Sequence, residues 1–350
     1  MTGKSIRRIL ESGPIEASAP CRIDMGGTLD ISTFYYPLRH LSPCTVNIAI
    51  DLRTRVTLLP FDSGKIRVTS AGFRSATFEA QQAPFDHPLG LIFAIAEYFG
   101  IQGIHIVIES SSPPRSALGG SSSAGVALIW ALTRLFRKSG GPPASRRSVA
   151  LLEHGIEASV AGVPCGLQDQ LAAVFGGVNA WYWRSDFKNG PFQRVPLVSN
   201  RSCAELERHL LLAYCGIPHE SRSVNSIWIR QFVSGRHRGI WEEIVALTHE
   251  FETALSGNKY QRAAEQVSAE TALRLRMTPR VLDETGRKLV ACAESENCGA
   301  RFTGAGGGGC IWAVGEKKEI ETLKPKWESI VSGRRGARLL KVGIDSKGVL

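Results

Sequence analysis

The sequence lacks the long apolar segments that mark membrane and secreted proteins. No run in its 350 residues approaches the roughly 18 consecutive apolar residues of a membrane-spanning helix. The first residues include Lys4, Arg7 and Arg8 and lack the apolar stretch of a secretory signal. We therefore expect a cytoplasmic protein without a membrane partner.

The sequence also lacks several local motifs of metal and nucleotide sites. Its eight cysteines are scattered and form no Cys-x-x-Cys pair, so we expect reduced thiols instead of a zinc or redox centre. It contains no Gly-x4-Gly-Lys-Ser/Thr sequence, and the glycine run at 304–309 lacks the βαβ context and downstream acidic residue of a dinucleotide site. No internal repeat or low-complexity segment is visible.

Composition indicates an ordinary globular chain. With 350 residues, of which 43% are hydrophobic, the chain can bury a substantial core, and its length favours two domains. The net charge of +10 raises the possibility of nucleic-acid binding. The basic residues are dispersed and no aromatic stacking motif accompanies them, so we expect no nucleic-acid partner. An enzyme with anionic substrates gains equally from positive potential.

The most informative segment is 113–125, where a loop of small residues runs directly into an apolar helix pattern. Gly119 and Gly120 let the backbone approach an anion closely, and a helix N-terminus points N–H groups and a positive dipole at the same place. The hydroxyls of Ser121, Ser122 and Ser123 add donors and oxygen ligands for magnesium. These residues predict a phosphate-binding loop, although by themselves they also fit a tight turn with an N-cap serine.

Two further glycine-containing segments flank this loop in the chain. The early segment is Ala-Pro-Cys-Arg-Ile-Asp-Met-Gly-Gly-Thr-Leu-Asp at 19–30, and the late one is Phe-Thr-Gly-Ala-Gly-Gly-Gly-Gly-Cys at 302–310. In this order the three segments resemble the motifs of the GHMP kinases, named for galactokinase, homoserine kinase, mevalonate kinase and phosphomevalonate kinase. The resemblance spans residues 19 to about 313. It implies ATP and Mg²⁺ as cofactors.

The resemblance also implies a fold. It is a two-domain α+β GHMP kinase fold, with a domain like the second domain of ribosomal protein S5 at 1–195 and a ferredoxin-like domain at 196–350. The active site would lie in the cleft between the two domains. The hydrophobic patterns predict strands at 44–60 (as two segments), 103–109, 300–303, 310–314 and 337–344, and helices at 121–137, 146–161, 240–256, 259–274, 279–296 and 317–331.

Phosphoryl transfer needs a group that orients or deprotonates the acceptor hydroxyl. Asp169, in the Gly/Pro-rich segment 162–170, matches the segment that carries the catalytic aspartate in sugar-kinase members of the family. Arg22 of the early motif would lower the pKa of this base or stabilise the transferring charge. Asp30, beside Gly27, would accept hydrogen bonds from substrate hydroxyls. The alternatives are a solvated turn for Asp169 and a surface ion pair for Arg22 and Asp30.

Glu153 and Glu157 lie one helical turn apart upstream of Asp169. The resemblance places a metal-binding glutamate about a dozen residues before the aspartate, which selects Glu157. Ser121, the second residue after the Leu-Gly pair of the loop, would be the hydroxyl ligand of the same Mg²⁺. We interpret Glu153 as part of a solvated helix face.

The resemblance assigns the remaining glycine-loop residues to ligand binding. Residues expected to bind ATP are Pro114, Leu118, Gly119, Gly120, Ser121, Ser122 and Ser123, and those expected to bind the substrate are Asp30, Gly27, Gly306 and Gly307. A purely structural linker is the alternative for the late glycines. Arg115 and Ala117 stand where glycines are common in the family. Since alanine disfavours positive φ, we expect a reshaped loop and altered ATP affinity.

The segments around Asp30 and Asp169 resemble the sugar-kinase branch. This implies a kinase for a small-molecule sugar or sugar phosphate, acting on the anomeric C1 hydroxyl of a heptose 7-phosphate or a galactose-like sugar. If the sugar already carries a phosphate, Arg222 is a candidate to bind it. The alternative is a non-catalytic sensor of sugar and nucleotide that regulates a partner. The sequence leaves the sugar, the nucleotide base and the oligomeric state open.

Overall fold

The computed structural model describes residues 3–162, 164–186, 190–218 and 221–350, with the backbone alone for 3–5 and 221–223. Twelve α-helices lie in these residues: α1 Gly3–Glu11, α2 Ser32–Tyr35, α3 Gly90–Tyr98, α4 Gly120–Lys138, α5 Arg146–Ala161, α6 Gln168–Phe175, α7 Cys203–Glu207, α8 Ser221–Val233, α9 Arg238–Ser256, α10 Tyr260–Met277, α11 Glu284–Ser295 and α12 Lys317–Ser332. The strands are β1 Ile15–Gly26, β2 Cys44–Pro60, β3 Lys65–Ser70, β4 Ala76–Glu79, β5 Ile104–Ser110, β6 Val178–Trp183, β7 Phe192–Pro196, β8 Leu210–Tyr214, β9 Gly299–Phe302, β10 Cys310–Val314 and β11 Arg338–Leu339.

A seven-stranded sheet organises the first half of the chain. Its long central strand β2 pairs with β1, β5 and β6. Beyond β5 the order continues to β3 and then β4, and beyond β6 it continues to β7. All pairs are antiparallel except β3 with β5. Helix α4 packs on β1 and β2, and α5 and α6 pack beside α4. This packing brings the early motif on β1 next to the loop that precedes α4.

A four-stranded antiparallel sheet, in the order β11-β8-β10-β9, forms the second layer of β-structure. Helices α10, α11 and α12 pack against it, and α9 packs on α10 and on β2. The late glycine motif is the connection between β9 and β10. The α+β class predicted from the sequence is confirmed. No helix among the described residues combines the length and apolar character needed to cross a bilayer.

The structure differs from the predicted elements in three places. The helix predicted at 279–296 begins only at Glu284, where the Asp283 side chain caps it by accepting the Gly286 N–H. The segment 44–60 is one continuous strand, β2, instead of two. The predicted strand at 337–344 is confined to Arg338–Leu339, because the following residues turn towards the first sheet. Ile344 forms a bridge with Ile50, and Leu350 and Ser18 exchange backbone hydrogen bonds of 2.9 and 3.0 Å. The division of the chain at 195/196 stays a prediction, and the last residues of 196–350 pack on the first sheet. No disulfide links any of the eight cysteines.

Candidate active site

A cavity of about 510 Å³ opens where the three glycine motifs meet. Its lining includes Arg22 and Asp30 from the early motif, the loop 112–122, and Asp169 at the start of α6. The late motif contributes Gly304 and Ala305. The sheet and helix packing therefore collects residues that lie up to 283 positions apart in the chain, from Arg22 to Ala305, at one place.

The predicted phosphate loop ends at the N-terminus of α4. Gly119 has a φ of +74° and precedes the first helical residue, Gly120. The loop is fixed to β1 by a 2.9 Å hydrogen bond from the Arg22 N–H to the Leu118 carbonyl oxygen. The Ser123 hydroxyl donates to the carbonyls of Pro20 and Gly119, and Ser123 is buried, so this serine anchors the loop. The first N–H groups of α4 remain available to an anion.

Two non-glycine residues of this loop adopt left-handed backbone. Arg115 has a φ of +53° and Ala117 a φ of +63°. The expectation that Ala117 would avoid positive φ is wrong. The carbonyl of Ala117 accepts hydrogen bonds from the guanidinium of Arg22 and from the Thr303 hydroxyl. These contacts hold a conformation that costs an alanine about 1–2 kcal/mol.

Arg22 and Asp169 form a bidentate ion pair at the floor of the cavity. The guanidinium donates from Nε to Oδ1 at 2.7 Å and from Nη2 to Oδ2 at 3.0 Å. Burial by itself lowers the pKa of Arg22, but Asp169, Asp24 and Asp30 together raise it above its usual value. A side chain on Gly119 would begin 3.2 Å from Asp169 Oδ2, so this carboxylate stands directly against the phosphate loop.

Asp30 supplies a second carboxyl group to the same cavity. Its Oδ2 accepts the backbone N–H of Gln168 at 3.1 Å, and its Oδ1 lies 3.4 Å from the Gln168 amide nitrogen. Burial, followed by the charge of Asp169, raises the pKa of Asp30 to about 7. Gly166 packs on this carboxyl so closely that a Cβ atom there would lie 1.7 Å from Oδ2. The segment before α6 therefore fixes Asp30 as well as Asp169.

Glu157 projects from α5 towards the first turn of α4. Its Oε2 accepts hydrogen bonds from the Ser122 hydroxyl at 3.0 Å and from the Gln170 amide at 2.6 Å. Burial, followed by the charge of Asp169, raises the pKa of Glu157 to about 7. A dication would relieve this cost, and the hydroxyl and carboxylate oxygens are the donors that Mg²⁺ prefers. Ser121 is exposed and lines the same cavity, so its role as a ligand stays a prediction.

The predicted substrate-side glycines lie beside the cavity lining. Gly307 donates its N–H to the Val281 carbonyl at 2.8 Å, and a Cβ on Gly306 would lie 2.5 Å from the Val281 side chain. Gly304 and Ala305 instead face the cavity. Gly27 packs on the backbone of Cys44, since a Cβ there would lie 2.3 Å from the Cys44 carbonyl oxygen. These glycines therefore permit close packing that shapes the site.

The sequence of residues 87–177 matches the GHMP kinases N terminal domain. The chain contains a GHMP kinase N-terminal domain. Among its relatives, a mevalonate kinase of Thermococcus sibiricus is 26% identical over 328 residues, which cover 87% of this chain and 90% of that kinase.

Solved structures show that the whole chain has the GHMP kinase fold. A D-glycero-D-manno-heptose 1-phosphate kinase of Bacteroides thetaiotaomicron superposes with a TM-score of 0.72 at 18% identity, covering 95% of this chain and 97% of that one. A galactokinase of Lactococcus lactis, solved with galactose, superposes with a TM-score of 0.72 at 16% identity over 99% of both chains. The fold implied by the three motifs is thus confirmed.

Within the GHMP kinase domain, Glu153 lies in the interior. Its side chain is fully buried, so its interpretation as part of a solvated face is wrong. A Cβ on Gly125 of α4 would lie 2.3 Å from Glu153 Oε1, which shows how closely α4 and α5 pack there. Burial, followed by the charge of Glu157, raises the pKa of Glu153 well above its usual value. Two acidic residues at (i, i+4) spacing are typical of solvated helix faces. Here Gly125 on the facing helix leaves the space in which the Glu153 side chain is buried.

Sequence reasoning also missed a buried group of charges behind the early motif of the GHMP kinase fold. Glu270 and Arg274 of α10 and Arg301 of β9 are each at most 5% exposed. Arg274 donates to the Gly27 carbonyl at 2.6 Å, and Arg301 donates to the Thr28 hydroxyl at 2.7 Å. No local pattern marks these residues, since a Glu–Arg pair at (i, i+4) is usual on exposed helices. Their contacts place them as the support of the loop that carries Asp30.

Proposed function

We propose that the protein is an ATP-dependent kinase that phosphorylates a hydroxyl group of a sugar, favouring the anomeric C1 hydroxyl of a heptose 7-phosphate or a galactose-like sugar. The observation that carries the proposal is the Arg22–Asp169 pair, held bidentately against the phosphate loop in one cavity. A carboxylate there can receive the proton of an acceptor hydroxyl while the nearby helix N-terminus holds the phosphates.

The other end of the cavity fits a nucleotide. Its wall is apolar and includes Phe73, Leu89, Ile92 and Ile108, and it continues into the loop before α4. An apolar slot for a base beside a row of N–H donors for phosphates is the arrangement that ATP requires. A related fold, a phosphomevalonate kinase of Streptococcus pneumoniae, was solved with AMPPNP. These features support ATP as the phosphoryl donor.

The chemistry follows from the placement of the side chains. Asp169 orients the acceptor hydroxyl and takes its proton as the hydroxyl oxygen forms a bond to the γ-phosphorus. The bond from that phosphorus to the bridging oxygen breaks, and ADP leaves with the bridging oxygen and its electron pair. Arg22 holds the carboxylate in position, since its guanidinium contacts both oxygens. Mg²⁺, which Glu157 would hold with Ser121 or Ser122, neutralises phosphate charge in such reactions. The fixed geometry reduces the entropy lost in bringing the reactants together.

The acceptor side favours a sugar over mevalonate. Asp30, Asp169 and the amide of Asn225 line it. Carboxyl oxygens accept hydrogen bonds from the many hydroxyls of a sugar, whereas the carboxylate that mevalonate carries has no proton to donate to them at neutral pH. The mevalonate kinase relative therefore supports the family chemistry, and the lining supports the substrate class. The side chain of Arg222, the candidate for a sugar phosphate, lies outside the described residues.

The first test is magnesium-dependent release of ADP from ATP with a panel of acceptors: heptose 7-phosphate, galactose, fucose, mannose, mevalonate and homoserine. We expect release with one of the sugars and, by phosphorus NMR, an anomeric phosphate. Release with mevalonate alone would contradict the sugar assignment. Binding of ATP and sugar without ADP release would support the alternative, a non-catalytic sensor.

The second test is Asp169→Asn. General-base catalysis contributes roughly 10²–10⁴-fold, so we expect kcat to fall by that factor. The dissociation constant for ATP should change by less than about threefold, because the phosphate loop is bound to β1 through backbone contacts. Wild-type turnover in Asp169→Asn would show that another group handles the proton.

A further inference from the structure

Three side chains of metal-binding type converge outside the catalytic cavity. The Cys44 thiol, the His249 imidazole and the Glu252 carboxylate place one ligand atom each within 4.8 Å of one another. We propose that these residues form a binding site for a borderline-soft divalent cation, Zn²⁺, behind the segment 27–30, the acceptor loop, which carries Asp30. The mixture of sulfur, nitrogen and oxygen donors suits zinc, whereas Mg²⁺ and Ca²⁺ prefer sets of oxygens.

The fold fixes the backbone positions of all three residues. Cys44 begins β2 and is fully buried, opposite Tyr182 of β6 in the antiparallel register. His249 and Glu252 lie three residues apart on α9, so they share one helix face. Because α9 packs on β2, this helix face and the thiol are brought together by the tertiary fold.

The surroundings of these ligands resemble the outer shell of a metal site. The Nε2 atom of His249 lies 3.2 Å from the carbonyl oxygen of Leu41, to which it can only donate. A neutral imidazole then has its lone pair on Nδ1, which lies 4.0 Å from Glu252 Oε2. The Tyr182 hydroxyl donates to the same carboxylate oxygen. Metal-bound histidines and carboxylates are oriented by hydrogen bonds of these kinds.

In this arrangement two acceptors face each other. The Nδ1 lone pair and the Glu252 carboxylate both need a positive partner between them, and a cation supplies it. The competing arrangement is a protonated His249 paired with Glu252, without metal. Zinc binding to the thiol releases the thiol proton to solvent and forms a Zn–S bond, so no oxidant or reductant is involved.

The separations allow a tetrahedral site after a small contraction. Donors bound at 2.0–2.3 Å from zinc lie roughly 3.3–3.8 Å from one another. The observed upper limit of 4.8 Å therefore requires about 1 Å of inward movement. The His249 side chain is 32% exposed and that of Glu252 is 14% exposed, so both can rotate, and the open side admits the ion and a fourth water ligand.

The location connects the site to the acceptor loop. A Cβ atom on Gly27 would lie 2.3 Å from the Cys44 carbonyl oxygen and 3.2 Å from the Thr248 side chain. Bound zinc would fix Cys44 and α9 on either side of Gly27. If the proposed kinase activity holds, zinc should therefore lower the KM for the acceptor more than it changes kcat. The binding claim itself stands independently of that activity.

The test uses the full chain without a histidine tag, stripped with EDTA and dialysed. Zn²⁺ is titrated against a chromophoric chelator without ATP or Mg²⁺, and Co²⁺ is added separately to detect a thiolate-to-cobalt charge-transfer band. We expect one equivalent of zinc and a cobalt band. Cys44→Ser should abolish the band, and both Cys44→Ser and His249→Gln should weaken zinc binding at least tenfold.

Cys203→Ser is the matched control, since Cys203 is another buried thiol and lies on α7. It should keep both the band and the affinity. If Cys44→Ser fails to fold, His249→Gln still tests the site, because His249 is partly exposed. Absence of stoichiometric zinc binding, or equal affinity in wild type and His249→Gln, would overturn the proposal and leave the protonated His249–Glu252 pair.

Discussion

Replacing Glu270 by glutamine tests whether the buried charges support the acceptor loop. Glu270 is 5% exposed, and its carboxylate accepts hydrogen bonds from Arg274 at 3.3 Å and from Arg301 at 3.1 Å. It also receives the Gly27 N–H at 3.3 Å. Burial alone would raise the pKa of Glu270, but the two guanidiniums outweigh burial and lower it. The group is therefore ionised at neutral pH.

The expected cost is large because both arginines are fully buried. Arg274 lies between Trp228 and Trp241, 4.4 and 4.7 Å from their ring centres, so its guanidinium cannot turn to water. Removing one partner of a buried ion pair costs about 3–5 kcal/mol. At about 2–4 °C per kcal/mol, this predicts a fall of roughly 10 °C in Tm.

Glu265→Gln is the control on the same helix. Glu265 pairs with Arg262, and both side chains are at least half exposed, so the expected cost is about 0–1 kcal/mol. The assay is thermal unfolding by differential scanning calorimetry, followed by acceptor kinetics. Since Gly27 loses a hydrogen-bond acceptor, Glu270→Gln should also raise the acceptor KM more than it lowers kcat. A Tm within about 2 °C of the control would refute the reasoning.

Three further variants address the cavity and its loop. Gly166→Ala places a Cβ 1.7 Å from the Asp30 carboxylate, so calorimetry should show at least tenfold weaker sugar binding with ATP binding unchanged; Gly155→Ala, with open space around it, should leave both unaltered. Because its pKa is about 7, Asp30 keeps its carboxyl proton up to about that pH in the folded protein. In the unfolded chain the same carboxyl loses its proton near its ordinary pKa of 3.8. Its contribution to stability therefore falls as pH rises from about 4 to 7, by about 4 kcal/mol. Asp30→Asn should flatten the stability–pH curve, and parallel curves for wild type and variant would contradict this. Ala117→Gly removes a left-handed strain of about 1–2 kcal/mol against an unfolded-state cost of about 0.4–1, so urea unfolding should show a small net stabilisation. Ala158→Gly on the exposed face of α5 should destabilise by about 1 kcal/mol, and equal losses in the two variants would argue against strain at Ala117.

The sequence by itself determined the features that depend on short stretches of chain. The glycine and serine residues at 119–123 precede an apolar period of 3.6, and this combination located α4 and predicted a phosphate loop in front of it. Three motifs in a fixed order were enough to indicate the GHMP kinase fold and to select Arg22, and the segment 162–170 indicated Asp169. The structure brings these two residues into one ion pair. Helix periodicity likewise located α5, α9, α10 and α12 to within a few residues.

Only the tertiary structure decided which charges are buried. Glu153 and Glu270 both occur in patterns that favour a solvated helix face, yet each is covered by an element distant in the chain. Ala117 keeps a positive φ because Arg22 on β1 and Thr303 just after β9 bind its carbonyl. Local sequence encodes conformational preference and periodicity, whereas burial and pairing depend on which distant residues the fold places opposite.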